Sequence, residues 1–266
     1  MRLKFIGTGT SVGVPQIGCG CPACVSKDPR DRRRRCGAYV VTDSSHPYLG
    51  RKIAFMVDTP PEMREACIEY GINAVDAVAL THSHMDHVAG FDDVRRFNTL
   101  NGGAPMRCYA DADTIESMHR IFPYIGEAKN ELGLYRPMIR FVADDEFEIG
   151  SVRLRRLAVE HGFPCCGYLM EDLKSGGRIG YISDCHELPE ATLAALEGVD
   201  IMILNSLRER PHPTHLNLEA SLKYLERIRP GKGYLIHMCH DLRHEEWLSR
   251  LPQWIEPAYD GLEVSI

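Results

Sequence analysis

The chain reads as a layered α/β domain, helix, sheet, sheet, helix. Three observations predict it: short apolar, β-branched-rich runs recur from end to end, amphipathic helical stretches fall between them, and no repeat or low-complexity tract breaks the pattern. At 266 residues and 44% apolar content the chain can bury one large core, and a single domain spanning residues 1–266 is expected. The runs that read as strands are Leu3–Ile6, Ala38–Thr42, Ile53–Val57, Val75–Leu80, Met106–Tyr109, Ile139–Val142, Val152–Val159, Tyr168–Met170, Ile179–Ile182, Ile201–Leu204, Tyr234–Ile236 and Leu262–Ile266. Helical spacing of apolar residues appears over Pro61–Tyr70, Ala112–Phe122, Pro189–Leu196, Leu218–Ile228 and Glu245–Leu251, several of them opened by Pro or an acidic residue.

Composition narrows the setting. No apolar run approaches the roughly 18 residues that cross a bilayer, and the opening MRLKFIGTGTS has no signal-peptide pattern, so a cytoplasmic protein without membrane contact is expected. Ten cysteines in such a chain point to reduced thiols, as metal ligands or small buried apolar groups. The net charge of −6 disfavours a long grip on nucleic acid, while leaving room for a local phosphate contact. Arg32–Arg35 reads as a solvated loop rather than such a contact. Cys165, Cys166, Cys185 and Cys239 read as packing, and residues 123–136 read equally as a flap or a plain connector.

The sharpest signal is ThrHisSerHisMetAspHis at 81–87, which places His82, His84, Asp86 and His87 on one tight loop just beyond a buried strand. Imidazole and carboxylate gathered this closely compete for divalent cations. Other strand ends deliver ligand-type residues too: Asp58, His161, Asp184 and His237. Any one alone is an ordinary turn residue; together they favour one metal centre.

This ordered set resembles the metallo-β-lactamase superfamily over nearly the whole chain. The resemblance implies a four-layer αββα sandwich with a two-metal site at one edge. His82, His84 and His161 would hold one ion, Asp86, His87 and His237 the other, with Asp184 between them and Asp58 orienting the ligand loop. Two dications at the roughly 3.5–4 Å spacing of known sites generate hydroxide near neutral pH and offset developing negative charge, which says hydrolase without choosing the ester. Manganese and zinc both suit such ligands.

Two further segments narrow the choice. In ArgProHisProThrHisLeuAsn, 210–217, the placement of His215 resembles the general acid of superfamily phosphodiesterases, with His212 and Arg210 as phosphate contacts. Cys19, Cys21 and Cys24 suit a tetrahedral structural zinc in a loop at about 19–36, for which spacing alone offers Cys36 as the fourth ligand. Combined with GlyThrGlyThrSer, PTHLN and HMCHDL, the cysteines resemble the phosphoribosyl cyclic phosphodiesterases of the carbon–phosphorus lyase pathway and their relatives, a likeness that implies His240 instead. The expected activity is metal-hydroxide hydrolysis of a small, cyclic ribose or nucleotide phosphodiester, in a monomer or homodimer. The alternatives are an endonuclease-like action on the 3' side of tRNA and a non-catalytic metal-dependent binding protein.

Overall fold

A computed structural model describes residues 1–126 and 135–266. Two seven-stranded mixed sheets face each other. The first runs in the order β14 (Glu263–Ser265), β1 (Arg2–Gly7), β2 (Gly37–Ser45), β3 (Lys52–Val57), β4 (Ala77–Ala79), β5 (Met106–Tyr109), β6 (Ile139–Val142). The second runs β13 (Ile255–Pro257), β12 (Lys232–Ile236), β11 (Ile201–Asn205), β10 (Arg178–Ile182), β9 (Cys166–Asp172), β8 (Val152–Ala158), β7 (Glu146–Ile149).

The alternation of side chains along a strand makes the layers. Phe55 and Val57 of β3 point between the sheets, as do Ile201 and Ile203 of β11, and they meet Phe5, Leu154, Tyr168 and Tyr181 in the central core. Their neighbours face outward. Met56 packs under α1 (Met63–Glu69), α3 (Arg95–Leu100) and α4 (Ala112–Ile121) through Met63, Phe97 and Met118. On the opposite face Met202 and Leu204 pack under α5 (Glu190–Leu196), α6 (Leu218–Ile228) and α7 (His244–Leu248) through Leu196, Leu225 and Trp247. This is the expected four-layer sandwich. Each fully buried apolar side chain contributes about 1.5–3 kcal/mol, so the strand ends that project from this stack are firmly founded.

The differences from expectation have local causes. Two short helices are additional: α2 (Met85–Val88), a single turn that starts inside the histidine motif, and α3. The strands β7 and β13 are also additional, and the expected strand Val75–Leu80 pairs only over Ala77–Ala79. Most of the segment 123–136 weighed as a flap lies outside the described residues. Among the described residues no helix is long and apolar enough to cross a membrane.

The arginine run is not the solvated loop its charge suggests. Arg33 is 1% exposed, and its guanidinium donates to the carbonyls of Cys239 and, at 2.9 Å, Leu242. Arg34 pairs with Glu69 and Arg35 with Glu62, which leaves Arg32 exposed. The excursion between β1 and β2 thus closes on a neck, where Gly9 N–H donates to Arg34 O at 2.7 Å and Val14 and Arg33 exchange backbone bonds at 2.9 and 2.8 Å. A side chain at Gly7 would collide with the Arg35 carbonyl.

Candidate metal centre

Strand ends from both sheets meet at one edge of the sandwich, and each brings a ligand-type residue. β3 leads into Asp58, β4 into His82–His87, β8 into His161, β10 into Asp184 and β12 into His237. Asp58 and His237 both sit at positive φ, 61° and 57°, a conformation that costs a non-glycine residue about 1 kcal/mol or more and persists only where the surroundings impose it.

The ligand atoms form two adjoining triads. Those of His82, His84 and His161 lie within 4.8 Å of one another, as do those of Asp86, His87 and His237. Asp184 stands between: its Oδ1 is 3.2 Å from His87 Nε2, and its Oδ2 is 3.3 Å from His237 Nε2 and 3.7 Å from His161 Nε2. Neighbouring groups aim the rings. His87 Nδ1 donates to Asp58 Oδ2 at 2.8 Å, and that carboxylate also accepts the backbone and hydroxyl of Thr81 at 2.8 Å each. His161 Nδ1 donates to the Thr214 carbonyl at 2.9 Å. Each contact fixes a tautomer and turns Nε2 inward.

The fit to cations can be judged from what these atoms lack. Nε2 of His82, His87 and His237 and Oδ1 of Asp184 are buried without a hydrogen-bond partner. An unsatisfied buried polar atom costs about 1–3 kcal/mol, and four of them gathered in adjoining groups make sense as ligands of divalent ions. The electrostatics agree. Burial, with His87 alongside, drives the His82 imidazole well below its ordinary pKa and keeps it in its neutral, ligating form. Burial opposes ionisation of Asp184, yet His237 and His87 hold its carboxyl well below the usual range. The arrangement can bind divalent metal ions.

His215 joins this centre. Its ring stacks on His237 at 4.7 Å, and its Nδ1 is buried, unpartnered and 3.7 Å from Asp184 Oδ2. Asn217, two residues on, caps α6 by accepting the Ala220 N–H at 3.1 Å, so His215 has no capping duty. Burial, reinforced by His237, lowers its pKa to about 3 against the pull of Asp184. His212 lies 5.0 Å from the His215 ring and accepts the Thr214 N–H at 3.3 Å. Arg210 is not brought into the cleft: its side chain is 72% exposed and bonds Asp241 at 3.0 Å. The cleft, about 390 Å³, is lined also by Ser11 and Thr214, which fall inside the GlyThrGlyThrSer and PTHLN motifs without a role read for them, and by Phe163, which the sequence did not single out. Phe163 carried one legible signal, its position two residues beyond a ligand histidine between Gly162 and Pro164.

A second cluster lies beside the first. Sγ of Cys19 and Cys21 are 3.3 and 3.2 Å from His240 Nδ1, and Cys24 completes a four-residue group. Burial works against Cys21, but the Cys24 N–H and His240 bring its thiol down to about 6, toward the thiolate that zinc prefers. Cys36 is not in this group. It lies in the central core at 0% exposure, where burial pushes its thiol well up.

The chain belongs to the metallo-β-lactamase superfamily: the profile of the beta-lactamase superfamily domain matches residues 53–238, a span that runs from before Asp58 to just beyond His237. The structure resembles a crystal structure of a new diphosphatase from the PhnP family, with 35% identity, a TM-score of 0.85, and coverage of 100% of this chain and 97% of that one. Among curated proteins it is 32% identical to an octanoyltransferase of Porphyromonas gingivalis over 100% of this chain but only 52% of that protein. It is also 33% identical to the ribonuclease Z of Methanopyrus kandleri over 53% of this chain and 50% of that protein. The matched stretches thus span about half the length of each of these two curated relatives.

Proposed function

We propose that this chain is a divalent-metal-dependent phosphodiesterase acting on a small, cyclic ribose or nucleotide phosphodiester, with a structural zinc on Cys19, Cys21, Cys24 and His240. The observation that carries the reading is His215, whose buried Nδ1 has no hydrogen-bond partner and lies 3.7 Å from Asp184 Oδ2, beside the two ligand triads. Divalent ions held by the two triads would acidify a water for attack on phosphorus and offset the charge that gathers on the phosphoryl oxygens. His215 supplies the complementary half: as the bond from phosphorus to the sugar oxygen breaks, its proton passes to that oxygen. An anionic phosphodiester beside the ring counters the burial that keeps it neutral, favouring the imidazolium needed for the transfer. Asp58, Thr81 and the Thr214 carbonyl hold the ligand rings in place throughout.

The likeness to a diphosphatase and to a ribonuclease Z supports hydrolysis at phosphorus. The name octanoyltransferase belongs to a protein about twice as long, of which this chain matches about half. Incubation of manganese-loaded protein with 2',3'-cyclic nucleotides, a diphosphate diester such as ADP-ribose, a generic diester and a precursor tRNA tests the proposal. Turnover is expected on the cyclic nucleotides. Cleavage of the tRNA alone, or binding of all without turnover, would replace this reading with a nuclease or a binding protein.

A further inference from the structure

Resting on the phosphodiesterase reading, we propose that Phe163 determines specificity as a stacking shelf, and that the substrate is a diester carrying a planar base rather than a bare sugar phosphate. Phe163 is 40% exposed at the mouth of the cleft, and its ring lies against His84 with centroids 4.7 Å apart and planes 28° from parallel. One face of the ring is therefore backed by a ligand while the ring still opens to solvent beside the place where phosphorus reacts. Six of the eight phenylalanines of this chain are buried, whereas Phe163 keeps a large part of its ring open to solvent.

The backbone fixes the ring. Gly162 adopts φ +75°, reversing the chain directly after His161, and Pro164 confines Phe163 to extended conformations. A platform held this way loses little entropy when a base settles on it. The rest of the lining makes the same choice of substrate. It offers imidazoles, carboxylates and the hydroxyls of Ser11 and Thr214, but no Lys or Arg among the described residues. Beyond the phosphodiester itself, extra anionic groups find no counter-charge here, whereas a neutral base finds a π face. Stacking tolerates any base, so purines are favoured over pyrimidines by contact area alone.

The experiment compares metal-loaded full chain on 2',3'-cyclic AMP and on the base-free methyl ribofuranoside 2',3'-cyclic phosphate. The wild type should prefer the base-bearing ester. Phe163→Ala should cut kcat/KM for cyclic AMP about tenfold, chiefly through KM, and change the base-free ester by under about twofold, while Phe163→Tyr keeps the preference. No preference in the wild type, or an equal fall on both esters together with lost metal, would overturn the shelf and leave Phe163 a buttress of His84. Failure to turn over any diester sinks the phosphodiesterase reading instead. Calorimetric titration with 3'-AMP and the base-free 3-phosphate then decides on the shelf: tighter binding of 3'-AMP that Phe163→Ala abolishes sustains it, and equal binding overturns it.

Discussion

The imidazoles of the cleft stand on the ends of strands drawn from both sheets, and five of their ligand set, His82, His87, His161, Asp184 and His237, are at most 4% exposed. The cysteine trio a short distance away hangs on a loop whose backbone bonds are local, Cys19 to Gln16, Val25 to Cys21 and Ser26 to Ala23, and which leaves Ile17 99% and Val25 63% exposed. One cluster is shaped by the core before any cation arrives. The other has almost no core, so the neck and the proposed zinc would supply its order. Removing a side chain should therefore damage chemistry in the first region and structure in the second.

The largest expected effect tests the first half of that contrast. His215→Ala should lower kcat on a cyclic nucleotide by about 10²–10⁴-fold, the usual worth of a general acid, while metal content and melting temperature stay near wild type. Normal turnover in this variant would mean that the leaving oxygen takes its proton elsewhere. Arg33 tests the joint between the regions, because its guanidinium ties the neck to the carbonyls of Cys239 and Leu242, just beyond His237 and around His240. Arg33→Met leaves Asp31, 3% exposed, without its buried cation, and should destabilise the fold by about 3 kcal/mol. Denaturant unfolding measures this; a change below about 1 kcal/mol would show the two loops to be independently held.

Cys21→Ser tests the second half. We expect it to lower zinc content by about one ion per chain and to reduce soluble yield and melting temperature, with kcat changed by less than about twofold. Equal zinc before and after the substitution would count against a cysteine zinc site. A large fall in kcat with the melt intact would reverse the comparison itself.

The same contrast governs what the sequence discloses. Asp58, the histidine motif, His161, Asp184 and His237 are legible because each follows a run that reads as a strand, apolar before four of them and alternating before His161, so local pattern and tertiary position coincide. Arg33 is not: among four consecutive arginines nothing marks the one whose partners are carbonyls more than two hundred residues away. The fourth member of the cysteine group, His240, is legible only through the family resemblance. Spacing favours Cys36, but Cys36 opens into β2 and turns to the core, whereas His240 arrives from the far end of the chain. β7 alternates buried and exposed residues, yet two of its four are glutamates, and β13 is three residues ending in Pro257, too short for a period to register. Arg210 misleads in the opposite direction, because charge close to a motif does not say which way a long side chain leaves the backbone.

Asp260 allows the smallest and most selective test, since it braces both legs of the neck that carries the cysteine loop. Its carboxyl accepts the Thr8 hydroxyl at 2.8 Å and the Arg34 N–H at 2.8 Å, and burial raises its pKa from 3.8 to about 7 in spite of those donors. An acid whose folded pKa is raised holds its proton in the native state at pH values where the unfolded chain has released it. Stability is thus greatest below the unfolded value and is lost as pH rises from about 4 through about 7. Asp260→Asn cannot ionise, so relative to wild type it should gain on passing from pH 5 to pH 8, by about 2 °C in melting temperature for each kcal/mol recovered in a chain of this size. Hydrogen exchange should place the wild-type loosening at pH 8 in the neck and cysteine loop, with the amides around His82 and Asp184 unmoved. Parallel pH profiles of the two proteins would mean that this carboxylate titrates normally, and loosening that spreads equally into the cleft would mean that the two regions share one foundation.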